Sequence, residues 1–365
     1  MSLYTDERAK SLTILTRDIL RELPDACNEF ILSIADTTQP LTRYVYAGDL
    51  KLFCEYLIAE VPSFANCKLL TLSHEDFGRV TVRDLRNYMD YLSYYIKNNV
   101  ERTNSDQGKM RKLSSLRAFY EFLYKSEYIQ SDVSKLVDLP KRHEKPILRM
   151  EIDEVARMLD YVETGEALSD RQKKYNEHTR VRDLAILTLF LGTGIRVSEL
   201  VGLNIEDINF ELNAFMITRK GGDQAVLYFS EEVADVIKQY LTEVRKKLTP
   251  QVEDEKALFL SLQNKRISVR AVQMMVKKYA VLAAPLKKRL SPHKLRSTFG
   301  TNLYNETGDI YLVADVLGHS DVNTTRRHYA AMSDEHRRTA AKRVKLRDNS
   351  YGTTIENNEP TPENS

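Results

Sequence analysis

The sequence predicts a mainly α-helical chain of two domains, with one small antiparallel β element in the second. Three observations predict it. Three stretches in the first third carry apolar residues at helical spacing. A polar segment with a proline near each end, LPKRHEKP, interrupts the chain near Lys145. Two β-type runs in the second half bracket Lys220-Gly221-Gly222-Asp223, a hairpin signal. At 365 residues and 42% hydrophobic composition, the chain is long enough for two cores.

The composition is that of an ordinary globular protein. The N-terminus, MSLYTDERAKSLTIL, carries charge where a signal peptide needs an apolar core, and no apolar run approaches transmembrane length. A cytoplasmic protein without a membrane partner is expected. Cys27, Cys54 and Cys67 match no metal spacing and suit a reducing compartment, so neither a disulfide nor zinc is implied. The net charge of +2 hides a local bias. Between Lys256 and Asn305 there is no Asp or Glu, while Lys256, Lys265, Arg266, Arg270, Lys277, Lys278, Lys287, Lys288, Arg289, Lys294 and Arg296 are basic. Solvated faces usually mix signs, so this run predicts a face for nucleic acid or another polyanion.

Residues before about Ala35 form an amphipathic segment without an assigned role. TTQPLTRYVYAGDLKLFCEYLIAE then places Tyr46, Leu50, Phe53, Leu57 and Ile58 on one helical stripe behind Pro40. TVRDLRNYMDYLSYYIKNN continues the pattern through Val82, Leu85, Tyr88, Met89, Leu92 and Ile96. KMRKLSSLRAFYEFLYKSEYI repeats it through Leu113, Leu116, Phe119, Tyr120 and Leu123. These stripes read as core. Arg43, and Lys109, Arg111, Lys112 and Arg117 at the start of the third helix, are candidate phosphate contacts, as are Lys141 and Arg142 in the linker. For each cluster a plain polar face explains the residues as well.

The second domain opens with a helix from Glu151 to about Tyr161 and a polar loop through Lys174. A buried helix, VRDLAILTLFLGTG, ends at Gly192-Thr193-Gly194 and delivers Arg196 to the start of another helix. Glu199, three residues on, is a partner for it, and a purely structural ion pair is the plain alternative. The glycines match neither GxGxxG nor GxxxxGK. NAFMITRKGGDQAVLYFS follows as two strands with Lys220 at their tip. Finally SPHKLRSTFGTNLYNETGDIYLVADVLGHSDVNTTRRHY sets His293 three residues before Arg296, a helix capped by Asp309 and ended by Gly318, His319 in the turn, and Tyr329 ten residues later. Imidazole and guanidinium groups can bind and protonate a phosphodiester, and a phenol can attack it once deprotonated. With a pKa of about 10 the phenol needs a cationic pocket, each unit of depression being worth about 1.4 kcal/mol. Arg is the natural clamp because its fork bonds two phosphate oxygens at once.

Arg196 in GTGIRVSEL, Lys220 on a hairpin, the pair in HKLR, His319 in LGHS and Tyr329 after TTRRH together resemble the ordered active-site set of the tyrosine recombinases, the phage integrase family. The motifs occur in order over about 135 residues, and TRYVYAGDLKLFCEYL and LSSLRAFYEFLYKSEYI followed by LPK resemble the family's core-binding domain. Within the family the likeness is to the Xer recombinases of bacterial chromosomes. The extra N-terminal segment departs from the shorter Xer proteins.

The resemblance implies a C-shaped clamp on DNA. Residues 1–145 would be a helical core-binding (SAM-like) domain with an N-terminal extension, 146–346 an α+β catalytic domain, and 347–365 a disordered acidic tail. It implies that Arg196 and Arg296 clamp the non-bridging phosphate oxygens while His319 adds a hydrogen bond. Tyr329 forms a 3′-phosphotyrosyl link, Lys220 protonates the departing 5′ oxygen, His293 assists proton transfer at the tyrosine, and Glu199 orients the site. Neither metal, ATP nor another cofactor is implied. The partners implied are duplex DNA with a roughly palindromic site, a homotetramer on two sites, and room for a partner recombinase or activator. SDEHRRTAAKRVKLRD would dock on the next protomer, or pack in cis. Arg266 and Arg270 complete the candidate DNA contacts.

Three alternatives stay open. A type IB topoisomerase shares the chemistry. A non-catalytic helix-turn-helix regulator built on DIYLVADVLGHSDVNTT explains the basic stretch but not Arg196, Lys220 or the HxxR pair. A metal-dependent nuclease lacks ligand spacing. The biological task, chromosome dimer resolution or integration and excision of a mobile element, is not encoded in any short motif, and neither is the target sequence.

Overall fold

The computed structural model describes residues 3–139, 148–219, 223–287, 290–319 and 322, which fall into two units, Met1–Lys145 and Pro146–Ser365. In the first unit, α1 (Leu3–Leu20) and α2 (Asp25–Ser33) account for the N-terminal segment, and both pack against α3 (Pro40–Glu60). Pro40 sits in the first turn of α3, where its missing N–H costs nothing. Short helices α4 (His74–Arg79) and α5 (Val82–Tyr91) each begin with a capping box, Ser73 with Asp76 and Thr81 with Asp84.

The helical stripe expected to run through Ile96 stops at Tyr91. Tyr95–Lys97 (β1) and Val100–Arg102 (β2) form an antiparallel hairpin instead. Asn98 and Asn99 both take positive φ, 52° and 58°, the backbone of a two-residue hairpin turn that Asn tolerates. The last helix of the unit, α6 (Asp106–Lys125), is capped by Ser105.

The three stripes meet in an aromatic core. Phe30, Phe53, Phe77, Tyr88, Phe119 and Tyr120 are all but fully buried. Phe119 meets Phe77 edge-on at 5.0 Å and Phe30 at 5.5 Å. Each such side chain contributes about 1.5–3 kcal/mol by leaving water. Asp49, 5% exposed, is a carboxylate buried in this unit. It accepts from both terminal nitrogens of Arg111 and from Ser115 Oγ at 2.7 Å, and Lys112 Nζ lies 3.7 Å away. Burial pulls the Lys112 ammonium below the ordinary lysine range, against the opposing pull of Asp49. Cys27 and Cys54 are buried free thiols in the same core.

In the second unit α7 (Ile152–Thr164) is followed by α8 (Asp170–Thr193), the longest helix, and α9 (Val197–Gly202). A three-stranded antiparallel sheet, β3 (Ile208–Asn209), β4 (Ala214–Thr218) and β5 (Gln224–Tyr228), lies in that order, with Thr218 opposite Gln224 as its last pair before the tip. Then come α10 (Glu231–Gln239), α11 (Val269–Ala283), α12 (Pro292–Thr307) and α13 (Ile310–Leu317). The fold is mainly helical with two small antiparallel sheets. Among the described residues no helix is long and apolar enough to cross a membrane.

Helix α8 is the axis of this unit. Every residue from Asp183 to Phe190 is buried, and α7, α10 and α12 pack around it. The polar loop expected through Lys174 ends five residues earlier, because Ser169 and Gln172 form a capping box and the polar half of α8 has buried partners. Asn176 takes a hydrogen bond from Tyr279 Oη at 2.8 Å and donates to the Val162 carbonyl at 3.1 Å. Arg182 bridges Asp183 and the Leu260 carbonyl at 2.7 and 2.9 Å. Burial and Asp183 push the Tyr279 phenol far up, so it stays a hydrogen-bond donor. Polar residues here are core residues.

Removing Asp49 strands a buried ammonium. Asp49→Ala is expected to destabilise the first unit by about 3 kcal/mol, the cost of leaving a buried charge unpaired. Arg111→Met, which removes a half-exposed partner, is expected to cost under about 1 kcal/mol. Urea unfolding followed by circular dichroism checks the difference; equal midpoints for the two variants would refute it.

Candidate active site

The site is built where α8 ends. Gly194 closes the helix at φ 62°, and a Cβ there would fall 2.4 Å from Phe299 Cδ1 and 3.0 Å from Leu317 Cδ2. Glycine is required twice over, for the left-handed backbone and for the approach of α12 and α13. Ile195 is then fully buried, and Arg196 becomes the residue that starts α9. Its backbone N–H donates to Glu199 Oε2 at 2.9 Å and its Nη1 to Oε1 at 2.8 Å. The Glu199 side chain is 5% exposed and that of Arg196 32%. The expected pairing of Arg196 with Glu199 is therefore present, and it holds an arginine that still faces solvent.

Helix α12 begins with Pro292 in its first turn and carries Arg296 one turn later, 5% exposed. Arg296 Nη1 donates to the Gly194 carbonyl and Nη2 to that of Leu317. Helix α13 starts at Asp309, whose carboxylate accepts from the N–H groups of Tyr311 and Leu312. It ends in a Schellman turn: His319 N–H bonds the Ala314 carbonyl at 2.9 Å and Gly318 N–H bonds Asp315 at 2.8 Å, with Gly318 at φ 58°.

A helix end leaves carbonyls without intrahelical donors, and they must be satisfied. Here arginines do it. Arg196 Nη2 bonds the Leu317 and Gly318 carbonyls at 3.2 and 2.8 Å, Arg296 shares Leu317, and Arg219 reaches Val316 at 3.0 Å and Asp315 at 3.3 Å. Three guanidiniums thus converge on the negative end of one helix dipole, on carbonyls within four residues of His319.

Of the sequence-derived site residues, Arg196, Glu199, Arg296 and His319 are brought together. His319 is half-buried directly after the Schellman turn, and His293 is exposed in the first turn of α12. Three residues apart on α12, His293 is exposed and Arg296 is buried. Lys220, Tyr329, Lys141, Arg142 and the segment after Tyr329 lie outside the described residues. Arg219, which sequence reasoning passed over, is the addition; its only signal was its place next to Lys220. Among the described residues no group of three or more His, Cys, Asp or Glu is placed to hold a metal ion.

Several of the expected DNA contacts also have partners within the chain. Arg43 donates to the Ala35 and Thr38 carbonyls, and Arg117 to Ser134 and Val137, so both tie loops to helices. Arg111 and the buried Lys112 serve Asp49. Arg266, with its side chain 9% exposed, bonds the Val201 and Leu203 carbonyls and Asn204 Oδ1 at 3.0, 2.9 and 2.7 Å. The acid-free run is also less bare in space than along the chain. Lys256 pairs with Glu206, Lys278 with Asp183, and Lys287 with Glu154 at 2.6 Å. Arg270 and Lys277 on α11 remain exposed, and Lys109, whose Nζ reaches Ser93 Oγ, is half-buried.

The model of the phage integrase family matches residues 149–336. The chain is 34% identical over 332 residues to tyrosine recombinase XerC of Caldanaerobacter subterraneus subsp. tengcongensis, covering 88% of this chain and 87% of that one. It is 31% identical over 325 residues to tyrosine recombinase XerS of Streptococcus uberis, covering 80% and 88%. Among solved structures, the Tn1549 transposon integrase in complex with transposon right end DNA superposes with a TM-score of 0.62 at 20% identity, over 87% of this chain and 99% of that one, a likeness of fold. With the arginine cluster at the end of α13, these matches place the chain in the phage integrase family, the tyrosine recombinases.

Proposed function

We propose that this chain is a site-specific recombinase that cleaves and rejoins duplex DNA through a 3′-phosphotyrosyl link at Tyr329, with neither metal nor ATP. The observation that carries the reading is the meeting of Arg196 and Arg296 on the carbonyl of Leu317, beside His319, in a chain of this family. Two guanidiniums bonded to one oxygen are close enough to share one phosphate. In the proposed reaction they take the non-bridging oxygens, where charge builds in the transition state, and His319 adds a third donor. The Tyr329 oxygen attacks phosphorus, the bond to the 5′ oxygen breaks, and Lys220 gives that oxygen its proton. His293 assists proton transfer at the tyrosine. Glu199 keeps the Arg196 fork in place. One phosphodiester is exchanged for another, so no outside energy source is consumed.

On this reading residues 1–145 are the core-binding domain with its extension and 146–346 the catalytic domain. Arg43, Lys109, Arg111, Lys112, Arg117, Lys141, Arg142, Arg266 and Arg270 are the proposed phosphate contacts, and of the described ones Arg111 and Arg270 are exposed. Four protomers act on two roughly palindromic sites in the cytoplasm. The XerC and XerS relatives, matched over most of their length, favour Xer-like dimer resolution, with integration and excision of a mobile element as the second reading.

Incubating the protein with genomic DNA in EDTA, denaturing, and sequencing the ends of protein-linked fragments tests the reading. Adducts through a 3′ phosphate at one recurring site are expected; scattered adducts indicate a topoisomerase, and retained fragments without adducts a binding protein. Tyr329→Phe is expected to lose the adduct completely while keeping DNA retention in a gel shift. Arg196→Lys replaces a fork by a point charge, which cannot serve Glu199, two carbonyls and a phosphate together. Cleavage is expected to fall on the order of 100-fold at unchanged DNA retention. A wild-type cleavage rate in that variant would remove Arg196 from the clamp.

A further inference from the structure

We infer that Arg219 is a positioning residue: it ties the end of β4 to the C-terminal end of α13, and through its chain neighbour it serves the proton-transfer step given above to Lys220; the inference rests on the recombinase reading above. The backbone of Arg219 is fixed first. One residue beyond the last strand pair, its N–H donates to the Asp223 carbonyl at 2.7 Å, closing the hairpin on either side of residues 220–222. Its side chain then leaves the hairpin and donates from Nη1 and Nη2 to Asp315 and from Nη2 to Val316, a span of two successive carbonyls that suits a planar fork.

Gly318 is shaped for this contact. A Cβ there would fall 2.4 Å from Arg219 Nη1 and 2.5 Å from Cζ, so the guanidinium lies directly against the glycine backbone. The same glycine carries the φ of 58° that turns the chain toward His319. One residue thus satisfies the turn and makes room for the arginine. Arg219 Nε is buried and meets no acceptor among the described residues, so the side chain is held by its terminal nitrogens alone. The hairpin is anchored at Arg219, the residue bonded to Lys220, and the anchor point is the helix end that presents His319.

The plain reading of Arg219 is a helix cap, since a cation near a helix C-terminus is favourable by itself. A cap and a positioning residue differ in which chemical step they affect. If Arg219 serves the step given to Lys220, its loss impairs protonation of the departing 5′ oxygen and little else. A substrate whose bridging 5′ oxygen is replaced by sulfur expels a thiolate, a far weaker base that needs no proton. Such a substrate bypasses the missing donor.

The experiment compares cleavage of a recombination-site duplex carrying the ordinary phosphodiester with the same duplex carrying a 5′-bridging phosphorothiolate, for wild type, Lys220→Ala, Arg219→Ala and Arg219→Lys. Arg219→Ala is expected to cut the ordinary substrate about 100-fold more slowly, within the range of a lost general acid, and the sulfur substrate at the wild-type rate, as Lys220→Ala does. Arg219→Lys keeps the charge at the helix end but loses the fork. It is expected to fold as wild type by circular dichroism and to show the same selective defect, about tenfold. Equal slowing on both substrates, in either variant, or a wild-type rate on the ordinary one, overturns the inference. Wild-type protein that forms no adduct, or a Lys220→Ala variant that sulfur does not rescue, sinks the reading of Lys220 and this inference with it.

Discussion

The C-terminal end of α13 is the constraint around which the second unit is arranged. A helix end must place its last carbonyls, and burying them without donors is costly. The Schellman turn at Gly318 satisfies Ala314 and Asp315 from the backbone, and arginines from α9, from the hairpin and from α12 cover Asp315 through Gly318. Segments separated by about 120 residues of chain are therefore joined by one short stretch of backbone. The same hydrogen bonds that complete the helix assemble the site. Gly194 does the corresponding work from the other side: its turn starts α9, and its carbonyl accepts from Arg296.

Much of this was legible in the sequence. The GTG run, the HxxR pair, Asp309 as cap and Gly318 as stop mark the local structure that presents Arg196, Arg296 and His319, because caps and left-handed glycines act through nearest neighbours. The Arg196 to Glu199 pair was legible for the same reason, being three residues apart on one helical turn. What periodicity does not carry is the identity of long-range hydrogen-bond acceptors. Arg219 bonds carbonyls nearly a hundred residues away, and carbonyls leave no trace in a sequence. The two misjudged elements share a cause. Ile96 fits a helical stripe by spacing, yet the Asn98-Asn99 turn fixed the chain as a hairpin. The start of α8 looked like a loop because Asp170 through Lys174 are polar, and Tyr279, distant in sequence, is what makes the nearby Asn176 a core residue.

The basic residues teach the same lesson about charge. A run without acids from Lys256 to Asn305 suggests a bare cationic face, but folding brings Glu206, Asp183 and Glu154 to Lys256, Lys278 and Lys287. Arg43, Arg117 and Arg266 likewise serve as long donors that finish loop carbonyls. Arginine suits this use because its five donors reach several acceptors at once. A count of cations along the chain therefore does not by itself give the charge on offer to a phosphate backbone.

The chemistry of the holders matters as much as their number. A buried guanidinium needs partners, and carboxylates are the obvious ones, but each full negative charge would cancel the field that the proposed phosphate and phenol chemistry requires. Backbone carbonyls supply partial charge and strict geometry while leaving the cation a cation. At this site the Glu199 carboxylate fixes Arg196, and carbonyls of Gly194, Asp315, Val316, Leu317 and Gly318 hold the three guanidiniums. Positive charge is thereby kept in place before any substrate arrives. Preorganised charge of this kind needs no rearrangement as the transition state forms, the condition under which electrostatic stabilisation is most effective. A helix terminus, the region of the fold with unsatisfied acceptors, is a natural place to build it.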